Sequence, residues 1–208
     1  MMKINVHRLF HDDGSPCPFV PSPHIGALIK SHDLLVIHYT EGQSSAAAVS
    51  WLTNRKSKAS AHLVIGRAGD ITQLVPFDVV AWHTGPSSWK GKTRLSEHSI
   101  GIELDNAGML KPSAGKWLAG FKRAYPETEL IKGAHKSGAR IVGWHKYPDV
   151  QIEAAIKVSA ILVRTYGIKE IVGHDDISPG RKWDPGPAFP MEQFRLRVFG
   201  LAAAPPTD

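Results

Sequence analysis

The sequence predicts an α/β fold: a single domain with a mixed central β-sheet flanked by helices, and a basic lobe inserted beside it. Three observations carry this. Short β-branched runs alternate with helical patterns along most of the chain. A length of 208 residues with 42% hydrophobic content suffices for one ordinary domain with a real core. Residues 107–147 break the rhythm, with Gly, Pro and Lys in quantity and no sustained period of either kind.

The first clear strand is Leu34-Leu35-Val36-Ile37-His38. After Gly42, residues 44–54 read as a helix with an Ala-rich middle. Residues 60–65 and 71–75 read as a hairpin that turns at Arg67-Ala68-Gly69-Asp70. In residues 98–105, Ile100, Ile102 and Leu104 alternate with Gly101, Glu103 and Asp105, so one face is buried and Glu103 projects from the other. Ile152, Ile156, Ala160 and Val163 stand at helical spacing and predict a long helix over 149–166, with Gly167 as its stop. It leads into a strand over 170–173 that ends at His174. A last short helix over 191–199 precedes a frayed tail. The expected organisation is one domain over residues 1–200, with 107–147 inserted within it, and a flexible tail over 201–208.

Cys17 is the single cysteine, so no intramolecular disulfide can form and a metal site must draw on His and carboxylate. The N-terminal apolar run is interrupted by Asn5, His7 and Arg8 and lacks a signal-peptide core, so cytoplasmic synthesis is expected. No stretch approaches the ~20 apolar residues of a membrane helix, and no integral membrane contact is expected. The formal net charge of +6 favours an anionic partner, whether nucleic acid, membrane surface or bacterial cell wall. Within 107–147, eight Lys and Arg face only Glu127 and Glu129, a local excess equal to that of the whole chain. The remainder is electrically balanced.

Two histidines close predicted strands. His38 and His174 stand at C-terminal strand ends, where α/β sheets place their sites. Ten residues after His174, Asp184 lies in a stretch stiffened by Pro179, Pro185 and Pro187 and offers a third ligand, with Asp175 and Asp176 as competitors. Three such ligands and one open position make a zinc site that activates water. Lys182, two residues before Asp184, would hang near the metal and neutralise an oxyanion. Glu103 could take a proton from the water and pass it to a departing nitrogen.

Six motifs stand in order: Val36-Ile37-His38-Tyr39-Thr40, Ser60-Ala61-His62, Val75-Pro76-Phe77-Asp78, Ala81-Trp82-His83-Thr84-Gly85, Ser99-Ile100-Gly101-Ile102-Glu103-Leu104, and Gly173-His174 through Lys182-Trp183-Asp184-Pro185-Gly186-Pro187. Together they resemble the zinc N-acetylmuramoyl-L-alanine amidases, a family that includes phage amidase endolysins, the bacterial cytosolic anhydro-muropeptide amidase and animal peptidoglycan-recognition proteins. The resemblance spans residues 30–106 and 150–199. It implies Zn2+ on His38, His174 and Asp184, Glu103 as acid/base, Lys182 as oxyanion partner, and Trp82 and Arg94 along the substrate cleft, with Arg94 near peptide carboxylates. It implies hydrolysis of the amide between N-acetylmuramic acid and L-alanine in peptidoglycan or a muropeptide. Residues 107–147 depart from compact members.

His62 and His83 have family flanks and read as hydrogen-bonded structural or cleft-lining residues, not ligands. Cys17, in Ser-Pro-Cys-Pro, has no helix start after it to depress its pKa and does not read as a nucleophile. The insertion's Trp117, Phe121, Trp144 and Tyr147 read equally as sugar-binding faces among lysines and as the core of a solvated lobe. The rival readings are a non-catalytic peptidoglycan-binding module and a nucleic-acid binder drawn by charge alone. A monomer acting on the wall without nucleic acid is expected. The basic balance points to an endolysin-like, antimicrobial setting, with release by a holin-type route; the alternative is a cytosolic enzyme that recycles muropeptides.

Overall fold

The computed structural model describes residues 2–204. In chain order, the elements that concern the site are β1 (Leu34–Tyr39), α1 (Ser45–Leu52), β2 (Leu63–Ile65), β3 (Ile71–Gln73), β4 (Ser99–Leu104), β5 (Met109–Ser113), β6 (Lys116–Leu118), β7 (Ala124–Tyr125), β8 (Leu130–Ala134), β9 (Ile141–His145), α2 (Asp149–Tyr166), β10 (Glu170–Gly173), α3 (His174–Ile177) and α4 (Met191–Ala203). The central sheet runs β10-β1-β4-β2-β3. Its first four strands are parallel and β3 returns antiparallel from β2, so the sheet is mixed as the sequence predicts.

The near-continuous Val, Ile and Leu content of β1 and β4 fits strands covered on both faces. Leu35, Ile37, Leu63, Ile65, Ile100, Ile102, Leu104 and Ile171 form one face and bury against α2 and α4. On the other, Leu34, Val36 and Val172 meet Leu95 and Ile177, while Val64 meets Ala48 and Leu52 of α1. The parallel register of β1 with β4 sets Val36 beside Gly101 and His38 beside Glu103. This second face therefore turns from apolar to ionisable at its C-terminal end.

Local chemistry fixes the helix ends. The Ser44 hydroxyl accepts from the Ala47 N–H at 3.2 Å and starts α1. Gly167, at φ 67°, stops α2 by donating its N–H to Val163 O, at the residue the sequence nominated. The expected end of α4 at 199 is corrected: the helix continues to Ala203, because the Arg164 guanidinium donates to the carbonyls of Leu201, Ala202 and Ala204 and satisfies its last turn. Of the expected tail, 201–203 are helical and 205–208 lie outside the described residues.

Residues 107–147 also differ from expectation. They form a five-stranded antiparallel sheet, β7-β6-β5-β9-β8, over a small core of Ala107, Leu110, Ala119, Tyr125 and Leu130. Strands of two to five residues are too short to leave a readable period. Trp117 and Phe121 pack on that core and Trp144 is buried, while Tyr147 joins the main core and stacks edge-on with Phe189. No helix of the described residues is long and apolar enough to cross a membrane.

Candidate active site

His38 is the penultimate residue of β1, and His174 opens α3 directly after β10, the neighbouring strand. Asp184 follows in a loop held by the Asp175 N–H, which donates to Asp184 O at 2.8 Å, and by the Tyr147 hydroxyl, which donates to Pro185 O at 2.8 Å. All three side chains are buried. His38 Nδ1 lies 2.9 Å from His174 Nδ1, and each nitrogen lies 3.0 Å from Asp184 Oδ2. Three atoms that carry lone pairs cannot face one another this closely without a proton or cation between them.

The outer hydrogen bonds decide the tautomers. Leu95 O can only accept, so it takes the Ser99 hydroxyl proton at 2.7 Å. Ser99 Oγ then accepts from His83 Nε2–H at 3.2 Å, and His83 Nδ1 accepts from His38 Nε2–H at 3.0 Å. His174 Nε2–H donates to Thr84 O at 3.0 Å. Both Nδ1 lone pairs are thereby directed at the triangle, the orientation that second-shell acceptors impose on metal-binding imidazoles. A tetrahedron with metal–ligand bonds of about 2.0–2.2 Å has edges of about 3.3–3.6 Å, so this donor set needs to open by only a few tenths of an ångström to hold zinc.

Electrostatics agree with that wiring. Burial, reinforced by His174, pushes the His38 pKa down to about 4, which keeps the imidazole neutral and available as a ligand. Burial likewise holds His83 well below the ordinary histidine range. For Asp184 burial acts to raise the pKa, but hydrogen bonding to His174 and His38 and their charge prevail and lower it.

Glu103 occupies the same sheet face, and its Oε2 is buried without a hydrogen-bond partner. Burial and the Asp184 charge raise its pKa well above the carboxylate range, against the pull of Lys182. The expectation that it projects outward is refined: the strand face is the polar one, yet it is roofed, and the carboxyl opens into a cleft of about 310 Å³ shared with Lys182, Trp82 and the His38–His174–Asp184 cluster. Arg94 is not brought there. It is ion-paired with Glu97 and lines an adjoining cavity of about 580 Å³ that touches the cleft through Trp82.

The competing carboxylates are occupied elsewhere. Asp175 accepts from His135 Nε2–H at 2.9 Å and from Lys136 Nζ at 2.8 Å, while Asp176 accepts from the Gly173 N–H and from Lys136 and Arg195. His135 also stacks edge-on with Trp183, its ring centroid 4.8 Å away, so the lobe braces both arms of the loop that carries His174 and Asp184. His62 is a structural cross-link, donating to Val79 O and accepting from the Gly101 N–H. Sequence reasoning passed over His135 and Lys136. His83, read from the sequence as a hydrogen-bonded or cleft-lining residue, is both: Ser99 anchors its ring, it lines the cleft, and a Cβ at Gly101 would lie 2.5 Å from its Nδ1.

The chain matches the N-acetylmuramoyl-L-alanine amidase family over residues 30–187 and belongs to it. It is 34% identical to the N-acetylmuramoyl-L-alanine amidase AmiD of Escherichia coli K12 over 176 residues, 80% of this chain and 53% of AmiD. It is 36% identical to the 1,6-anhydro-N-acetylmuramyl-L-alanine amidase AmpD of the same organism over 141 residues, 68% of this chain and 59% of AmpD. The chain thus spans little more than half the length of these curated relatives. Its fold superposes on the structure of E. coli AmiD in complex with the substrate anhydro-N-acetylmuramic acid-L-Ala-D-gamma-Glu-L-Lys with a TM-score of 0.61 and 30% identity, covering 94% of this chain and 65% of that one.

Proposed function

We propose that this member of the family hydrolyses the amide bond between N-acetylmuramic acid and L-alanine, with zinc held by His38, His174 and Asp184. The observation that carries the reading is the buried triangle of two neutral imidazole nitrogens and one carboxylate oxygen, facing a cleft that also holds Glu103 and Lys182. Zinc bound there supplies activation of water at neutral pH. Glu103, whose proton affinity is raised by burial and the Asp184 charge, would as a carboxylate accept a proton from the attacking water and return it to the leaving nitrogen. The Lys182 side chain makes no hydrogen bond or ion pair among the described residues, which leaves its ammonium available to the oxyanion. Trp82, 44% exposed at the junction of cleft and adjoining cavity, offers a face to the sugar, and Arg94 offers a cation to a carboxylate farther out.

The substrate we propose is a muropeptide. Both relatives bear amidase names, one of them specific to 1,6-anhydro-N-acetylmuramyl-L-alanine, and neither supports the endolysin setting, the antimicrobial role or the holin route that the charge suggested. Purified protein is expected to carry about one zinc per chain and to release peptides with a free L-alanine amino terminus from soluble anhydro-muropeptides. His174→Ala should lose both zinc and activity. Full activity in metal-free protein would overturn the mechanism, and faster cleavage of intact sacculi than of soluble fragments would restore the wall-lytic reading.

A further inference from the structure

The two histidines of the candidate metal site are oriented from different sides. His38 is held through His83 and Ser99, whereas His174 relies on one backbone carbonyl, Thr84 O, which its Nε2–H reaches at 3.0 Å. That carbonyl is gripped by a side chain to which the proposed chemistry gives no part. Arg181, in the loop between α3 and Asp184, brings Nη2 to 2.7 Å from Thr84 O and 2.6 Å from Ser178 Oγ. The same nitrogen lies 3.3 Å from His174 Nε2. A proton count decides among the three contacts. Pro86 O can only accept, so it takes the Ser178 hydroxyl proton at 2.9 Å. Ser178 Oγ must then accept from Arg181, and Thr84 O, another obligate acceptor, takes the second Nη2 proton. A terminal guanidinium nitrogen has no third proton to offer His174 Nε2. The imidazole nitrogen therefore has to be a donor itself, and Thr84 O receives it on its remaining lone pair.

We propose that Arg181 is a positioning residue of the zinc site, which fixes the Thr84 carbonyl and, by committing both Nη2 protons elsewhere, selects the His174 tautomer whose Nδ1 lone pair faces His38 and Asp184. The inference rests on the metal reading and adds the residue that sets its second imidazole. The local backbone is shaped for this grip. The Thr84 N–H donates to Ser96 Oγ at 3.3 Å, which ties the residue on its other side. Gly85 follows at φ 56°, and a Cβ there would lie 3.4 Å from Arg181 Nη1, so the guanidinium packs against bare backbone. Charge and position make opposite demands on zinc. A cation beside a ligand repels a dication, so by charge alone deleting Arg181 would tighten zinc binding. Losing the outer hydrogen bond that orients a ligand loosens it by about 10–100-fold. The sign of the change therefore separates the two roles.

The test is the zinc affinity of the full chain against a competing chelator, for wild type, Arg181→Met and Ser178→Ala. Met keeps an unbranched stem and brings no donor. Ser178→Ala leaves Arg181 in place but frees the Nη2 proton that Ser178 held, which can then turn to His174 Nε2 and favour the tautomer with its proton on Nδ1. Both variants are expected to bind zinc about tenfold more weakly, the low end of the range because Arg181 acts through a carbonyl and not on the ligand itself. In the zinc-loaded proteins, 1H–15N NMR should show the His174 Nε2–H exchanging with water about tenfold faster in Arg181→Met. The His38 Nε2–H, held by His83, serves as the internal control and should keep its wild-type rate. Equal or tighter zinc binding in Arg181→Met overturns the proposal, and so does a His174 proton that exchanges at the wild-type rate. Equal acceleration of both protons overturns it as well, since a loosened fold moves the two together. Wild-type affinity in Ser178→Ala overturns the selection of the tautomer. A wild-type protein that binds no zinc refutes the metal reading and this inference together. One that binds zinc with the expected ranking of affinities, yet hydrolyses no muropeptide, refutes the activity and upholds the role of Arg181.

Discussion

Replacing Glu103 by Gln should make the metal-free protein more stable and the enzyme inactive. The side chain is held on a sheet face beside His38, with Oε2 buried and unpartnered. Burial raises its pKa well above the carboxylate range. A carboxyl whose pKa is higher in the folded than in the unfolded state contributes most at low pH, where both states are protonated, and that contribution is lost as the pH rises through the folded value. Gln removes the ionisation and keeps the shape. Leaving one buried polar atom of a charged group unsatisfied costs about 1–3 kcal/mol, and the lower half of that range applies because the carboxyl also opens onto the cleft. For a domain of this size, about 1–2 kcal/mol corresponds to a Tm higher by roughly 2–8 °C at pH 8, shrinking toward zero near pH 4–5. Thermal unfolding of both proteins without metal across that range measures the difference, and hydrolysis of a muropeptide should fall about 10²–10⁴-fold. A Gln variant no more stable than wild type at pH 8, or one that keeps a tenth of kcat, would refute the assignment.

The other expectations concern neighbouring parts of the same site. His83→Phe keeps a ring where Gly101 makes room but removes the acceptor for His38 Nε2–H, and zinc affinity measured against a competing chelator should fall about 10–100-fold. Unchanged affinity would show that the relay does not orient His38. Lys182→Met should lower kcat about 10²–10³-fold with little change in KM, and a rise in KM alone would make Lys182 a binding residue rather than an oxyanion partner. His135→Ala leaves buried Asp175 without one of its donors, costs about 2–3 kcal/mol, and should lower Tm by roughly 4–12 °C. If the lobe braces the metal loop, the same variant releases zinc to a chelator faster. A lower Tm with an unaltered release rate would confine His135 to stability.

Much of the catalytic half was legible because its elements are long and carry local punctuation. The helix α2 was bounded by Gly167, and β1 and β10 announced themselves as β-branched runs that end in histidine. The third ligand was nominated as Asp184 by spacing and family resemblance, with two competitors nearby. Asp175, Asp176 and Asp184 stand within ten residues, and only the chain fold shows that the first two are engaged by His135, Lys136, Arg195 and the Gly173 N–H. The lobe was read as irregular because each of its strands is too short for a period, and its pairing of β5 with both β6 and β9 is non-local. The end of α4 escaped for a similar reason. Its cap, Arg164, lies 37 residues away from Leu201.

The segment Ser99-Ile100-Gly101-Ile102-Glu103-Leu104 shows how much site chemistry a period of two can hold. Its even-numbered members enter the core beneath α2 and α4, so the register of β4 cannot slip by one residue without turning Ile100, Ile102 and Leu104 toward the site and the polar set toward the core. The polar set is ordered along the strand. Ser99 anchors His83 through its hydroxyl, Gly101 leaves the space the imidazole occupies, and Glu103 reaches the cleft beside the His38 that His83 orients. The hydrophobic burial that fixes the strand therefore also fixes which nitrogen of His38 is free. Because the relay ends on a backbone carbonyl that can only accept, its direction is set by covalent structure and not by pH. A sheet that is rigid on one face can in this way impose a single protonation pattern on the other, and the neutral Nδ1 donors of the candidate metal site are a consequence of that constraint.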